Sequence, residues 1–189
     1  VLNMEAQHQV ILSLGSNQGN RLTNIELCLN LIHREVGTII KVSNLYETPS
    51  WGFESEAFYN CALLLHTSKT AGQILKEVLG VEKKLGRIRN ENAGYQSRII
   101  DVDLIAFNSE IINAEHLQIP HPLMQNRKFV LLPFQDLKID WIHPVLKKTI
   151  SELIKITPDD SVCEVIQELE CPLSAIRLNQ YNYIAIEGN

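Results

Sequence analysis

The period of the hydrophobic pattern changes repeatedly along this chain, and the order of those changes restricts its architecture more than any other feature. Residues 9–14 read as a buried strand, followed by the polar and glycine-bearing stretch Gly15-Ser16-Asn17-Gln18-Gly19-Asn20. Leu22, Ile25, Leu29, Ile32 and Val36 then recur at spacings of three and four, which places them on one helical face, and Gly37 is the stop signal. Residues 38–46 are rich in β-branched side chains and predict a second strand. The segment Thr48-Pro49-Ser50-Trp51-Gly52 breaks that pattern. Phe58–Thr67 predicts a third strand, with Phe58, Asn60, Ala62 and Leu64 on one face. Ser68 or Thr70 can cap the helix that carries Ile74, Leu75, Val78, Leu79 and Leu85. Residues 98–107 alternate as a strand. Two strand–helix–strand units in this order imply an α/β or α+β sandwich, with helices packed on a sheet.

The remainder is less regular. Residues 108–112 are expected to pair beside the preceding strand. Pro120-His121-Pro122 marks a turn, with Pro122 opening a short helix towards Leu132. Short helices are expected at 151–156 and 162–169, and a final strand at 181–186. With 189 residues the chain has the length of one domain. The division expected is a lead segment (1–8), a single domain (9–165) and a C-terminal extension (166–189) lying on or beside it. At 45% hydrophobic and 21% charged residues, the chain is neither disordered nor collagen-like. A net charge of −5 argues against a broad grip on nucleic acid and leaves room for a local basic pocket. Cys28, Cys61, Cys163 and Cys171 lack zinc-type spacing. No apolar run reaches the roughly 18 residues of a membrane span, and the first residues lack the basic start and apolar core of a signal peptide. Reduced thiols in a cytoplasmic protein are therefore expected.

The chemistry is concentrated in Arg98-Ile99-Ile100-Asp101-Val102-Asp103-Leu104-Ile105. On a strand, Asp101 and Asp103 share one face while Ile100, Val102 and Leu104 take the other. Two carboxylates about 6.6 Å apart repel by roughly 2.5 kcal/mol at an effective dielectric near 20, and aspartate is a poor strand former. A cation between them offsets both costs, and one or two aspartates plus substrate phosphates is the usual way to hold Mg²⁺. A solvated face of an edge strand would also tolerate the pair. Arg87, Arg89 and Arg98 flank the adjoining polar loop. They supply the guanidiniums that a metal–polyphosphate requires, or else simply form salt bridges with the aspartates. The 15–20 loop matches no nucleotide-binding glycine motif and reads as a strand-to-helix turn. His121, held between prolines, with Arg127 and Phe129 close behind, offers donors and a stacking face to a planar ligand.

Taken in order, four segments resemble one family, the 6-hydroxymethyl-7,8-dihydropterin pyrophosphokinases of folate biosynthesis. They are Leu14-Gly15-Ser16-Asn17; Tyr46-Glu47-Thr48-Pro49 with Phe58-Tyr59-Asn60; Gly86-Arg87 with the run from Arg98 to Leu104; and Ile119-Pro120-His121 with Asn126-Arg127-Lys128-Phe129. The resemblance implies a ferredoxin-like sandwich with a mainly antiparallel sheet. It implies transfer of a diphosphoryl group from ATP to the pterin hydroxymethyl oxygen, with AMP leaving. Asp101 and Asp103 would hold two Mg²⁺ ions on the ATP phosphates, and Arg87 and Arg98 would be the catalytic arginines. Arg89, His121 and Arg127 would bind ATP. Thr48, Pro49, Phe58, Asn60 and Phe129 would form the pterin pocket. The expected partners are these two substrates, with no nucleic acid, no membrane and a monomeric state. By the same resemblance, 49–55 and 90–97 would be the moving loops. Departures are Tyr95 for a common tryptophan, Gln96-Ser97 for Gly-Pro, a 90–97 loop one residue longer, Asn90 for a lysine, and His116 for an arginine. A palm-type nucleotidyl transferase or cyclase and a small-molecule-binding regulatory module are the alternatives, the last predicting no Mg²⁺ dependence of ATP binding and no need for Arg98.

Overall fold

The computed structural model describes residues 7–50, 56–87 and 97–172. Its first strand, β1 (His8–Ser16), is buried on both faces, which is why residues 9–14 show no polar alternation. Helix α1 (Arg21–Glu35) follows, with the Asn20 side chain accepting from the Thr23 amide at 3.1 Å. The expected second strand divides into β2 (Thr38–Val42) and β3 (Leu45–Thr48). Both lie on the same edge of β4 (Phe58–Thr67). Ser43 causes the division. Its amide donates to the Ala62 carbonyl while its hydroxyl accepts from the Ala62 amide, each at 2.9 Å, so a side chain replaces a rung of the ladder.

Helix α2 (Ala71–Lys84) opens on a capping box between Thr70 and Gln73. Strand β5 (Asp101–Phe107) completes a sheet of order β5-β1-β4-β3, in which these neighbouring strands run antiparallel. Two strand–helix–strand units wound into that order give the ferredoxin-like sandwich. On one face α1 and α2 lay Ile25, Leu29, Ile32, Ile74 and Val78 over Val10, Leu12, Leu14, Leu63 and Val102. On the other, α3 (Lys128–Asp136) and α4 (Ile150–Ile156) bring Val130, Leu131, Phe134 and Leu153 against Ile11, Ala62, Leu64 and Ile105. Helices thus cover both faces of the central strands, and hydrophobic burial on both sides holds the layers together.

Four local expectations differ from the structure. Residues 108–111 turn away from β5, with Asn108 at φ 50, and the pairing belongs to a separate hairpin, β6 (Ile112–Ala114) with β7 (Leu117–Ile119). The helix expected from Pro122 is a 3-10 turn at Met124–Asn126, and α3 starts afresh after Arg127, whose extended backbone (φ −133, ψ 101) interrupts it. Strand β5 starts at Asp101, three residues after the expected start. Finally, 162–169 is not a helix: β8 (Glu164–Gln167) pairs antiparallel with β3 and extends the sheet. Val162, Val165 and Ile166 suit a strand, and a run this short does not distinguish the two periods. The strand expected at 181–186 lies outside the described residues. All four cysteines are free thiols, and burial pushes Cys61 up to about 12. Among the described residues no helix is long and apolar enough to cross a membrane.

Candidate active site

The register of four strands sets out the site. Gly15 on β1 faces Asp101 on β5 and Asn60 on β4, and Asn60 in turn faces Tyr46 on β3. Asp103 lies two residues along β5, opposite Ser13. The acid pair on β5 and the Thr48–Phe58–Asn60 group on β3 and β4 therefore lie on either side of β1, at one end of the sheet.

At the acidic side, the arginines do pair with the aspartates. Arg87 Nη1 bonds both Glu82 Oε1 and Asp101 Oδ1, and Arg98 Nη1 bonds Asp101 Oδ2. These are not solvated surface bridges, because the Arg87, Arg98 and Asp101 side chains are only 12%, 18% and 21% exposed. Asp103 is half-buried. Its carboxyl is pushed up to about 7, first by loss of solvent and then by the charge of Asp101, against the opposing pull of Arg127 and Arg87. His121 is depressed to about 4 by burial and then by the Arg127 charge, partly offset by Asp101. It is therefore neutral at pH 7. Its Nδ1 accepts from the Leu123 amide at 3.2 Å, so Nε2 carries the proton and is a donor. The charges of Asp101 and Arg127 thus act on both Asp103 and His121, from positions well separated in sequence.

The donor chemistry fits magnesium. Two hard carboxylates project from one strand face, and among the described residues no group of three or more His, Cys, Asp or Glu forms a complete metal cage. Mg²⁺ characteristically takes one or two carboxylates and completes its shell with phosphate and water.

Beside it, Asn60 Nδ2 donates to Thr48 Oγ1 at 2.7 Å, and both residues are buried. Gly15 is required here: a Cβ on it would meet Asn60 Oδ1 at 2.8 Å and Phe58 Cδ1 at 3.5 Å. Pro49 follows at the exposed end of β3. Phe129 is half-buried, with the Arg127 guanidinium 5.6 Å from its ring centre. His121 also lines an open cleft of about 410 Å³ together with Gln118, Ile119 and His143. A second cleft, of about 660 Å³ between α3 and residues 138–151, contains none of these residues. Arg89 and most of the two loops expected to move, 51–55 and 90–96, lie outside the described residues.

One participant was missed from sequence. Glu82 is 1% exposed, bonds Arg87 and accepts from the Val102 amide at 2.9 Å. It thus ties the end of α2 to the strand bearing both aspartates. Its signal was present: Ile74, Val78 and Glu82 recur every four residues, so a carboxylate occupies the apolar face of α2. A buried charge is retained only with a partner of this kind.

At one end of an antiparallel α+β sheet, paired carboxylates and guanidiniums lie near a buried amide–hydroxyl pair, the groups that a metal-bound polyphosphate and a small polar ligand would require. Comparison with known proteins shows the family. Residues 11–139 match the family model described as 7,8-dihydro-6-hydroxymethylpterin-pyrophosphokinase (HPPK), and the chain belongs to that family. It is 36% identical over 138 residues to the 2-amino-4-hydroxy-6-hydroxymethyldihydropteridine pyrophosphokinase of Porphyromonas gingivalis, covering 71% of this chain and 93% of that one. It is 37% identical over 145 residues to the folic acid synthesis protein FOL1 of Dictyostelium discoideum, covering 76% of this chain but about a fifth (22%) of that much longer protein. Among solved structures, wild-type Plasmodium falciparum HPPK-DHPS with STZ-DHP superposes with a TM-score of 0.65 at 18% identity, over 81% of this chain and 44% of the other. That likeness bears on the fold.

Proposed function

We propose that this chain transfers the β,γ-diphosphoryl group of ATP to the hydroxymethyl oxygen of 6-hydroxymethyl-7,8-dihydropterin, giving the pterin diphosphate and AMP in folate biosynthesis. The observation that carries this reading is the register row from Asp101 through Gly15 to Asn60. Two strand spacings of about 4.8 Å set the backbones of Asp101 and Asn60 roughly 10 Å apart. One bicyclic substrate can therefore rest on Asn60 while its side arm reaches the phosphates.

The roles follow from chemistry. Asn60, Thr48 and the Pro49 backbone read the hydrogen-bonding edge of the pterin, and Phe58 and Phe129 cover its ring. Asp101 and Asp103 would hold two magnesium ions, which would supply neutralisation of the phosphate charge. Arg87 and Arg98 exchange their hold on Asp101 for the β- and γ-phosphates, where charge develops as the α,β bridge breaks. Arg89, Arg127 and the Nε2 donor of neutral His121 bind the rest of the nucleotide. The substrate hydroxyl oxygen bonds to the β-phosphorus as the bond from that phosphorus to the α,β-bridging oxygen breaks; AMP leaves with that oxygen, and the hydroxyl proton passes to water. Little covalent work falls to the protein, so positioning and charge account for most of the rate. The same reading has the chain act as a cytoplasmic monomer on ATP and the pterin alone, with 166–189 as an extension of the one domain.

The test is a product assay with protein, ATP, Mg²⁺ and 6-hydroxymethyl-7,8-dihydropterin, separating the nucleotides. Pterin-dependent AMP with a pterin diphosphate and no free pyrophosphate is expected. ADP would indicate an ordinary kinase, pyrophosphate a nucleotidyl transferase, and no turnover by folded protein a binding module.

A further inference from the structure

The polar stretch between β1 and α1, read from sequence as a mere turn, has a second role in the structure. Regular pairing of β1 with β5 ends at Gly15 and Asp101. Beyond it, Asn17 continues the contact by other means. Its backbone amide donates to the Arg98 carbonyl at 3.2 Å, and its side-chain Oδ1 accepts from the Arg98 amide at 2.7 Å. The side-chain Nδ2 of the same residue reaches the Glu56 carbonyl and Ser97 Oγ, each at 3.4 Å. Asn17 is 2% exposed, so its amide is committed to these partners and not to water.

We infer that Asn17 is a positioning residue for Arg98. The inference rests on the proposed reaction only in giving Arg98 its task; the clasp itself is a matter of geometry. Arg98 lies three residues ahead of Asp101, outside any strand, and its guanidinium meets Asp101. A guanidinium on a long side chain can meet a developing phosphate charge reproducibly only if its backbone is held. The two-point clasp from Asn17 holds Arg98 by both its N–H and its C=O, as a ladder rung would. An asparagine supplies the acceptor where the strand no longer offers a carbonyl at that place. Alanine lacks that acceptor.

The test is a double-mutant cycle of Asn17→Ala and Arg98→Ala, with turnover followed by radiolabelled AMP release and Arg98 amide exchange followed by NMR. Asn17→Ala should lower kcat roughly 10–100-fold with both KM values within about threefold, since it leaves the ligand-binding groups in place. In the Arg98→Ala background it should cost nothing further. The Arg98 amide of Asn17→Ala should exchange at least tenfold faster than in the wild type. An equal loss of kcat in both backgrounds, or an Arg98 amide protected as in the wild type, overturns the inference. If Asn17→Ala does not fold, Asn17→Ser, which keeps a small polar side chain but is too short for the clasp, goes through the same cycle with the same expected and refuting results. A wild type that makes no AMP refutes the proposed reaction, while the exchange rates still decide whether the clasp exists.

Discussion

Asp103 offers the sharpest test, because its place in the fold should set stability against function. In the metal-free protein its carboxyl is pushed from an ordinary 3.8 up to about 7, by loss of solvent and then by the neighbouring Asp101 charge. Between these values the folded chain holds a proton that the unfolded chain has released, so stability falls as pH rises through that window. At about 1.4 kcal/mol per pH unit, ionised Asp103 costs the fold up to roughly 4 kcal/mol by pH 7.5, and roughly 2 kcal/mol once residual solvent screening is allowed for. Asp103→Asn keeps the shape and removes the charge. In EDTA it should be more stable than the wild type by about 2–4 kcal/mol at pH 7.5, or roughly 5–15 °C in Tm for a chain of this size. Urea denaturation from pH 4 to pH 8 should show the advantage growing up to about pH 7 and flat above it. On the proposed reading, in which Asp103 would hold magnesium, turnover should fall at least about 100-fold. A variant less stable than the wild type at pH 7.5, or an advantage independent of pH, would refute this account of Asp103.

Three further outcomes are expected. Phe129→Ala should weaken pterin binding by roughly 1–3 kcal/mol in calorimetry, and unchanged affinity would remove Phe129 from the pocket. Gly15→Ala drives a methyl to 2.8 Å from Asn60 Oδ1, so the Asn60–Thr48 pair must shift. The expected result is at least about a tenfold rise in pterin KM with ATP KM unchanged, at an overpacking cost of about 1–3 kcal/mol. For His121, burial and Arg127 lower the imidazole to about 4, so the stability this group contributes is complete above pH 6.5 and is lost as pH falls towards 4. Its ring resonances should not titrate between pH 5.5 and pH 8, and a midpoint near 6.5 would contradict the buried, neutral donor.

Much of this was legible because it is local. The alternation that puts Asp101 and Asp103 on one face depends only on neighbours two residues apart, and the stripe from Leu22 to Val36 only on neighbours three and four apart. A cap at Ser68 or Thr70, which the structure places at Thr70, and the strand Phe58–Thr67 were readable for the same reason. Failures came where a remote partner decided the outcome. Residues 162–169 suit either period, and the free edge of β3 makes them a strand. Ser43 divides one β-rich run into two strands because Ala62 lies opposite it.

The candidate site divides along the same line. The sequence by itself determined which chemistry is present: an acid pair on one strand face, arginines beside it, and motifs at separations that match one family. Only the tertiary structure decided that Glu82 is the partner of Arg87, that Asn17 clasps Arg98, and that Asn60 sits two strands from Asp101. Periodicity is imposed by the backbone over a few residues. Register between strands some 40 to 90 residues apart is set by which packing of two buried faces excludes most water, and that is a property of the whole sheet.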